Sequence, residues 1–411
     1  MALDLVGFGI VLPVLPLYAR RYHASPAVAG ALVASFSLAQ LVVSPLWGRV
    51  SDRVGRKPVL IVSLTGTAIG SLLTGLAGGL PLLFVGRLVD GASGASVSVA
   101  QASVADLAEP SQRARLFGLL GAAFGLGFVL GPAIGGALAP ISPRLPFFAA
   151  GAVAGVNALV AVRRLPETRG GNVTVAPVTA GPGPRPPTSL APDVAGPPRR
   201  SSAWRAPGVA QFISVSFLSL VAFSAFEGTF SLFGDRRLGL HESSTYVVFA
   251  IIGVLIAVDQ VALVHPAVTR WGERGALQLG LVLNGTGLAL LPAVHHRWAL
   301  APSLVLLCAG QGLVTPTLSS AVAGQVDARD RGQVLGVAQS AGGLARVIGP
   351  ALGGVAFGRL GVWTPYTGGA VLVAVAAVVL ASAPRPVERN GGAGAQRPSP
   401  RADAPSARPV V

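Results

Sequence analysis

Six ionisable side chains lie within long apolar stretches of this 411-residue chain: Asp4, Arg87, Asp90, Glu227, Asp259 and Arg346. A charged group inside a membrane is costly, and it usually pairs with another charge, faces a water-filled cavity or carries protons. These residue types therefore predict proton transfer or recognition of a charged ligand, with a structural ion pair as the alternative.

The fourth apolar stretch carries several of these features at once. Arg87, Gly91, Gly94, Ser98 and Gln101 follow a 4-3-4-3 spacing, which places them on one face of a continuous helix. Asp90 is one turn from Arg87. We favour a role of this face in proton coupling, with Asp4 and Glu227 as the first candidate proton carriers and Asp90 after them. The alternative is a structural ion pair from Arg87 to Asp90 or to Asp4.

The second half of the chain has fewer charges in its apolar stretches. Glu227 lies within the aromatic segment 223–230, where it could face a cavity and bind a cationic or amphiphilic substrate, or carry a proton. It could equally pair with Arg346 as a structural contact. Gln101, Phe226 and Arg346 are the candidate residues of the substrate cavity.

Asp259 lies near the end of its apolar stretch. We expect it to anchor a loop by pairing with Arg270 or Arg274.

The composition indicates a membrane protein. Hydrophobic residues make up 52% of the chain and charged residues 11%, with a mean hydropathy of +0.65, whereas soluble domains carry roughly 25% charged residues. The net charge of +15 is scattered between apolar segments without interleaved aromatic residues, so we expect no nucleic-acid partner. The single cysteine and the isolated pair His295 and His296 predict no metal site and no cofactor.

Twelve apolar segments are long enough to cross a bilayer as helices. They predict an all-α membrane protein in which twelve transmembrane helices form two pseudo-symmetric six-helix bundles. The first bundle covers residues 1–162 and the second 208–383. Proline-rich segments at 163–207 and 384–411 predict a disordered linker and a disordered tail. The predicted spans are 3–19, 27–47, 58–79, 80–104, 115–138, 145–162, 208–232, 244–264, 275–294, 298–322, 333–357 and 363–383.

The two halves are copies of one unit. Gly131–Gly136 returns nearly unchanged as Gly349–Gly354 at an offset of 218, and Gly94 matches Gly312 at the same offset. Duplicated helical units of this kind build many secondary transporters. In the first span, Gly7, Gly9, Pro13 and Pro16 predict a helix that is broken within the membrane, and the short lead before Asp4 predicts that the natural chain starts some ten residues upstream.

A basic turn separates the second and third spans. The segment Gly48–Lys57 contains Gly48, Asp52, Arg53, Gly55, Arg56 and Lys57 in the pattern Gly-x-x-x-Asp-Arg-x-Gly-Arg-Lys. Gly48 would let the helix end approach a neighbour, and Gly55 would permit a tight turn. Asp52 can pair with the nearby cations. Asp106, at the end of the fourth span, is expected to form a gating pair with Arg113.

This segment resembles the signature loop of the major facilitator superfamily. Gly127, Gly131, Pro132, Gly135 and Gly136 resemble a further motif of its proton-driven export branch, and the start of the chain resembles helix 1 of tetracycline and multidrug antiporters. Arg87 matches the arginine of helix 4 in that family. The resemblance implies the major facilitator fold and a conformational role for the motif in the fifth span.

Basic residues in the short loops number ten on one side of the predicted topology and seven on the other. Together with the linker and tail, they predict that both termini are cytoplasmic in a bacterial inner membrane. The resemblance also implies a monomer.

The predicted function is proton-coupled export of small amphiphilic molecules by alternating access. The alternatives are a sugar or metabolite transporter of the same fold and a membrane sensor that does not transport. No Gly-x-x-x-x-Gly-Lys sequence and no nucleophile–base pattern is present, so we expect neither an ATP-driven pump nor an enzyme. In the second copy, Gly127 and Phe128 become Ala345 and Arg346, which predicts that the N-terminal copy carries coupling and gating.

Overall fold

The computed structural model describes residues 2–94, 129–165, 208–324 and 331–382, together with positions 96, 99, 123, 126 and 127. Every long regular element among them is an α-helix, as the apolar composition predicts, because a helix satisfies its own backbone polar groups in lipid. The N-terminal bundle contains α1 (Ala2–Val11), α2 (Leu15–Arg20), α3 (Pro26–Val54), α4 (Arg56–Gly75), α5 (Leu80–Ala92), α6 (Val129–Leu138) and α7 (Leu145–Arg164). The C-terminal bundle contains α8 (Val209–Leu238), α9 (Glu242–Ala262), α10 (Val264–Leu290), α11 (Leu300–Gly324), α12 (Arg331–Arg359) and α13 (Thr364–Ser382).

Ten helical segments within these ranges are long and apolar enough to cross a membrane. The helices α1 and α2 form one of them across a break at residues 12–14, which confirms the broken first span. The other two predicted spans, 80–104 and 115–138, lie partly outside the described residues, as do most of the predicted linker and all of the predicted tail beyond Ser382. Their boundaries therefore stay predictions.

The turns after α3 and within α10 show that the repeat extends to the backbone. Gly55 has φ 111° and separates α3 from α4, and Gly272, at an offset of 217, has φ 70°. Side chains with a Cβ rarely adopt positive φ, so glycine is required at both turns. The third span of each bundle is therefore preceded by a glycine with the same kind of backbone conformation.

The bundles contact one another unevenly along their length. At one end, Arg20 pairs with Asp235 and Arg21 with Glu242 at 2.9 Å, so both pairs join the two bundles. We call this the paired end; it contains residues 20–25, 139–144, 235–241 and 291–299. The opposite end contains the Gly48–Lys57 turn, and we call it the motif end.

The apolar core follows the same asymmetry. Its largest cluster includes fully buried side chains of both bundles, among them Ile10, Leu32, Phe230 and Tyr246. Smaller clusters occur separately in each bundle, around Val59 and Leu64 in the first and around Ala276 in the second. The hydrogen bonds and ion pairs of Arg20, Arg21 and Tyr246, which join the two bundles, all lie in the half nearer the paired end.

Candidate functional site

Charged groups in the N-terminal bundle form a buried cluster. Arg87 Nη1 donates to Asp90 Oδ2 at 2.8 Å, and the two side chains are 3% and 9% exposed. The Arg87 guanidinium lies over the Phe36 ring of α3, 4.5 Å from its centroid. Its Nε has no hydrogen-bond partner among the described residues. This ion pair is the structural alternative that the sequence left open, and it leaves Arg87 with an unused donor.

Asp4 of α1 lies next to this pair. Its carboxylate accepts a hydrogen bond from the hydroxyl of Ser96, and it is close enough for its charge to act on Asp90. Thr67 of α4 also lies next to Asp90. Residues from α1, α4 and α5 therefore bring two carboxylates and one guanidinium into one electrostatic unit.

The end of α5 differs from the predicted continuous helix. The helix ends at Ala92, and Ser93 and Gly94 lie outside it. The three carbonyls of these residues accept side-chain hydrogen bonds: Ala92 from Trp47 at 2.6 Å, Ser93 from Ser63, and Gly94 from Gln40 at 3.0 Å. Such partners replace the lost helical donors, which an apolar environment requires.

The prediction that Gly94 continues the helical face of Arg87 and Gly91 is therefore wrong, because α5 ends at Ala92, and Ser98 lies outside the described residues. Gln101, Asp106 and Arg113 lie outside the described residues, so the predicted gating pair and one cavity candidate keep the status of predictions.

The motif helix α6 and the residues before it pack directly on α1. A Cβ on Gly131 would lie 2.6 Å from the Cα of Gly9, and one on Gly127 would lie 2.5 Å from Leu5 Cβ. Small residues at four-residue spacing allow backbones to approach this closely. The segment that carries Asp4 is thus held against the motif residues, with Pro132 also close to Gly9.

The face of α6 nearer the paired end contacts the other bundle. Gly135 and Gly136 lie against the ring and Cβ of Tyr246 in α9. The four motif glycines and Pro132 thus contact two partners: the residues toward the start of α6 contact α1, and Gly135 and Gly136 contact α9.

The basic turn at the motif end is partly organised by its own charges. Asp52 pairs with Arg56 at 2.7 Å, and Arg56 also donates to Ser51 Oγ at 2.9 Å. Arg53 is exposed and Lys57 half-buried. A Cβ on Gly48 would meet no described residue within 4 Å, so the expected close approach to a neighbour stays a prediction for another conformation.

In the C-terminal bundle, Glu227 and Arg346 interact electrostatically across α8 and α12 but form no ion pair in the described part of the chain. Phe226 is 1% exposed and packs against Phe230, with ring centroids 5.1 Å apart. In this conformation the Phe226 ring is enclosed by the aromatic core of the bundle, and its assignment to the substrate cavity stays a prediction.

The predicted role of Asp259 is also wrong. Arg274 donates to the carbonyls of Leu380 and Ala381 at 2.7 and 2.9 Å, and Arg270 lies over the Trp271 ring. Asp259 packs instead against Gly312 of α11, and its Oδ2 has no hydrogen-bond partner among the described residues.

Sequence reasoning missed the residues that connect distant segments. Ser96 and Phe36 complete the charge cluster, and Tyr246 lies against the motif glycines. Pairing of Arg20 with Asp235 joins positions 215 apart. The periodicity of one helix carries no information on such contacts. The internal repeat could have indicated one of them, because the repeat relates the contact between α6 and α9 to the contact between α3 and α12.

Two related helical bundles that cross a membrane, with buried charges in one of them, define a multi-pass membrane transporter. The chain matches the model of the Major Facilitator Superfamily over residues 1–264 and 261–409. It is 33% identical over 374 residues to the class B tetracycline resistance protein of Escherichia coli, covering 88% of each chain. It is 29% identical over 354 residues to multidrug resistance protein 1 of Bacillus subtilis, covering 86% of each.

Among solved structures, the human organic anion transporter MFSD10 is similar, with a TM-score of 0.67 and 26% identity over 92% of this chain and 96% of that one. A peptide transporter, POT, has a TM-score of 0.73 at 15% identity, covers 92% of both chains and supports the fold alone. The chain belongs to the major facilitator superfamily. It is a transporter and not an enzyme, and its fold is the predicted pair of bundles.

Proposed function

We propose that this chain exports small amphiphilic molecules, including tetracycline-like compounds, in exchange for protons. The observation that carries the proposal is the buried cluster of Asp4, Ser96, Arg87 and Asp90, which lies beside a broken first span. The 33% identity to the class B tetracycline resistance protein supports the substrate class. The cluster offers carboxylates that can take up and release a proton within the membrane.

In this mechanism Asp4 carries the proton. Its carboxylate is half-buried and is bonded only to a hydroxyl among the described residues, whereas Asp90 is committed to Arg87. Arg87 favours the charged forms of both acids and so promotes proton release. Glu227 and Arg346 present opposite charges in the other bundle and contribute to substrate recognition.

The paired end faces outward in this proposal, and the motif end faces the cytoplasm together with both termini. The charge bias of the short loops supports this orientation. The structure then corresponds to a state that is closed outside. In the opposite state, the motif end closes, and the open space beside Gly48 is where a helix of the other bundle would approach. Asp52, Arg53, Gly55, Arg56 and Lys57, with Asp106 and Arg113, gate that end.

The test uses purified protein in proteoliposomes with an imposed pH gradient. The panel contains tetracycline, a cationic dye, a neutral amphiphile and an organic anion. We expect accumulation of tetracycline or the dye only when the gradient is present. Movement that ignores the gradient would contradict proton coupling, and accumulation of the anion alone would contradict the substrate class. No movement of any compound would favour the sensor alternative.

A further inference from the structure

Tyr246 is the one described tyrosine whose hydroxyl bonds to a residue of the other bundle. Its side chain is fully buried, with 0% exposure, and its hydroxyl donates to the carbonyl of Ile10 at 3.1 Å. Ile10 belongs to α1 of the N-terminal bundle, and Tyr246 belongs to α9 of the C-terminal bundle. The bond therefore crosses the interface that has to separate if the bundles rock.

The acceptor is a product of the break in the first span. Helix α1 ends at Val11, so Val14, whose N–H would bond to the Ile10 carbonyl in a continuous helix, lies outside it and leaves that carbonyl without its helical donor. A carbonyl in an apolar environment needs a donor from elsewhere. The Tyr246 hydroxyl supplies one to Ile10.

The surroundings fix the tyrosine in this position. A Cβ on Gly135 would lie 2.8 Å from Tyr246 Cζ, and one on Gly136 would lie 2.9 Å from its Cβ, so only glycines leave room for the ring. A groove of about 480 Å³ runs between α6 and α9 beside the ring, and apart from Tyr246 it is lined by apolar residues such as Pro132, Ala250 and Val254. The groove offers no competing hydrogen-bond acceptor from a side chain.

The same helix is joined to the first span one turn earlier. Glu242, four residues before Tyr246, accepts two hydrogen bonds from Arg21, at 2.9 and 3.1 Å. Arg21 is exposed, and an exposed ion pair contributes little. Of the two contacts, the hydrogen bond from Tyr246 to Ile10 is buried and therefore shielded from water and salt.

We propose that Tyr246 is a positioning residue of the transport cycle: its bond to Ile10 holds the paired end closed, and opening of that end requires this bond to break. The inference rests on the alternating access of the proposed function. In this proposal, Gly135 and Gly136 leave the room that the Tyr246 ring occupies. The bond to Ile10 also connects the paired end to α1, which carries Asp4.

The test measures distances between spin labels in a Cys308→Ala background, because Cys308 is the single cysteine. One label pair, Ile141→Cys and Trp298→Cys, reports on the paired end, where both side chains are exposed. A second pair, Val54→Cys and Leu263→Cys, reports on the motif end, where both are exposed too. The variant is Tyr246→Phe.

Tyr366→Phe is the matched control. Tyr366 is also fully buried, and its hydroxyl bonds to Thr229 at 3.3 Å within the C-terminal bundle, so its loss breaks no contact between bundles. Both variants keep the ring and remove one hydroxyl.

We expect Tyr246→Phe to raise the ratio of long to short distances at the paired end by about threefold to tenfold, as the loss of one hydrogen bond predicts. The motif end should close in the same proportion of molecules, and Tyr366→Phe should change neither. An unchanged distribution in Tyr246→Phe would overturn the proposal. So would an opening at the paired end without closure at the motif end, or an equal effect of Tyr366→Phe. These distances need neither substrate nor gradient, so a failed transport assay leaves the inference testable.

Discussion

Helix α5 of the first bundle and its copy in the second bundle, α11, differ at the positions that carry charge in α5. Arg87 and Asp90 form a buried ion pair, and at the offset of 218 their counterparts are Val305 and Cys308. Gly94 lies just past the end of α5, whereas its counterpart Gly312 lies inside the continuous helix α11. The common fold thus supports two different interiors, one charged and interrupted, the other apolar and continuous.

Contacts of the two glycines with their neighbours extend the comparison. Gln40 of α3 bonds to the carbonyl of Gly94, and in the second bundle Asp259 of α9 packs on Gly312 without a hydrogen bond among the described residues. The first bundle uses its polar side chains to satisfy a broken helix next to its charges. The second has no broken helix to satisfy at this position. We infer that proton coupling resides in the first bundle and that the second contributes closure and substrate contacts.

The largest effect is expected from Asp4→Asn. The substitution keeps the hydrogen bond to Ser96 but removes the proton-carrying group, so gradient-driven accumulation should fall on the order of 100-fold, the lower range for losing a proton-transferring group. Asp259→Asn is the control in the second bundle and should retain accumulation within about twofold. Equal losses in both variants would remove the distinction between the bundles.

Disruption of the ion pair should affect stability as well as transport. Arg87→Ala leaves Asp90 buried and unpaired, which should cost about 3–5 kcal/mol of unfolding free energy. Arg87→Met together with Asp90→Val should recover most of that stability, since paired apolar replacements of buried ion pairs are often neutral. Thermal unfolding in detergent measures this. Recovery of proton-driven transport in the double variant would show that the pair is purely structural.

Gly48→Leu should slow transport without destabilising the protein. The new side chain meets no described residue within 4 Å of its Cβ in this conformation, but it would obstruct closure of the motif end. Overpacking of this kind should raise the free energy of the closed state by about 1–3 kcal/mol. We expect about a tenfold lower turnover and an unchanged unfolding temperature. Gly155→Leu in α7 is the matched control, because a Cβ there also meets nothing within 4 Å. A normal turnover in Gly48→Leu would argue against the gating role.

The smallest effect is expected from Glu227→Gln. Loss of one charge facing Arg346 should change the KM for a cationic substrate by about fivefold, which corresponds to roughly 1 kcal/mol. The KM for a neutral amphiphile should change less, and dependence on the pH gradient should persist. Transport assays with the two substrates at several gradients measure both. Loss of the dependence on the pH gradient in Glu227→Gln would instead identify Glu227, in the second bundle, as the proton carrier.

The repeat, ten of the twelve spans and the break in the first span follow from the composition and from the spacing of glycine and proline, because these features reflect local backbone requirements. The ion pair of Arg87 with Asp90 is one of the alternatives that the one-turn spacing leaves open. The interruption before Gly94 did not follow, because a glycine in an apolar stretch is equally compatible with a helix. The carbonyls that Gln40, Ser63 and Trp47 satisfy can be identified only once the helices are packed.

Contacts between segments were the least predictable. The sequence places Asp259 nearest to the cations Arg270 and Arg274, but the side of α9 that it occupies depends on the packing of α11. Phe226 is in the core for the same reason. The bond from Tyr246 to Ile10 spans 236 positions and depends on a backbone carbonyl, which no pattern of side chains reveals.

Proton movement itself tests the location of coupling most directly. Proteoliposomes containing a trapped pH-sensitive dye are mixed with substrate in the absence of an imposed gradient, and substrate exchange is followed in parallel. We predict that Asp4→Asn exchanges substrate without moving protons, while Glu227→Gln moves protons as the parent does. Substrate-driven proton movement that persists in Asp4→Asn, or that disappears in Glu227→Gln, would contradict the assignment of coupling to the first bundle.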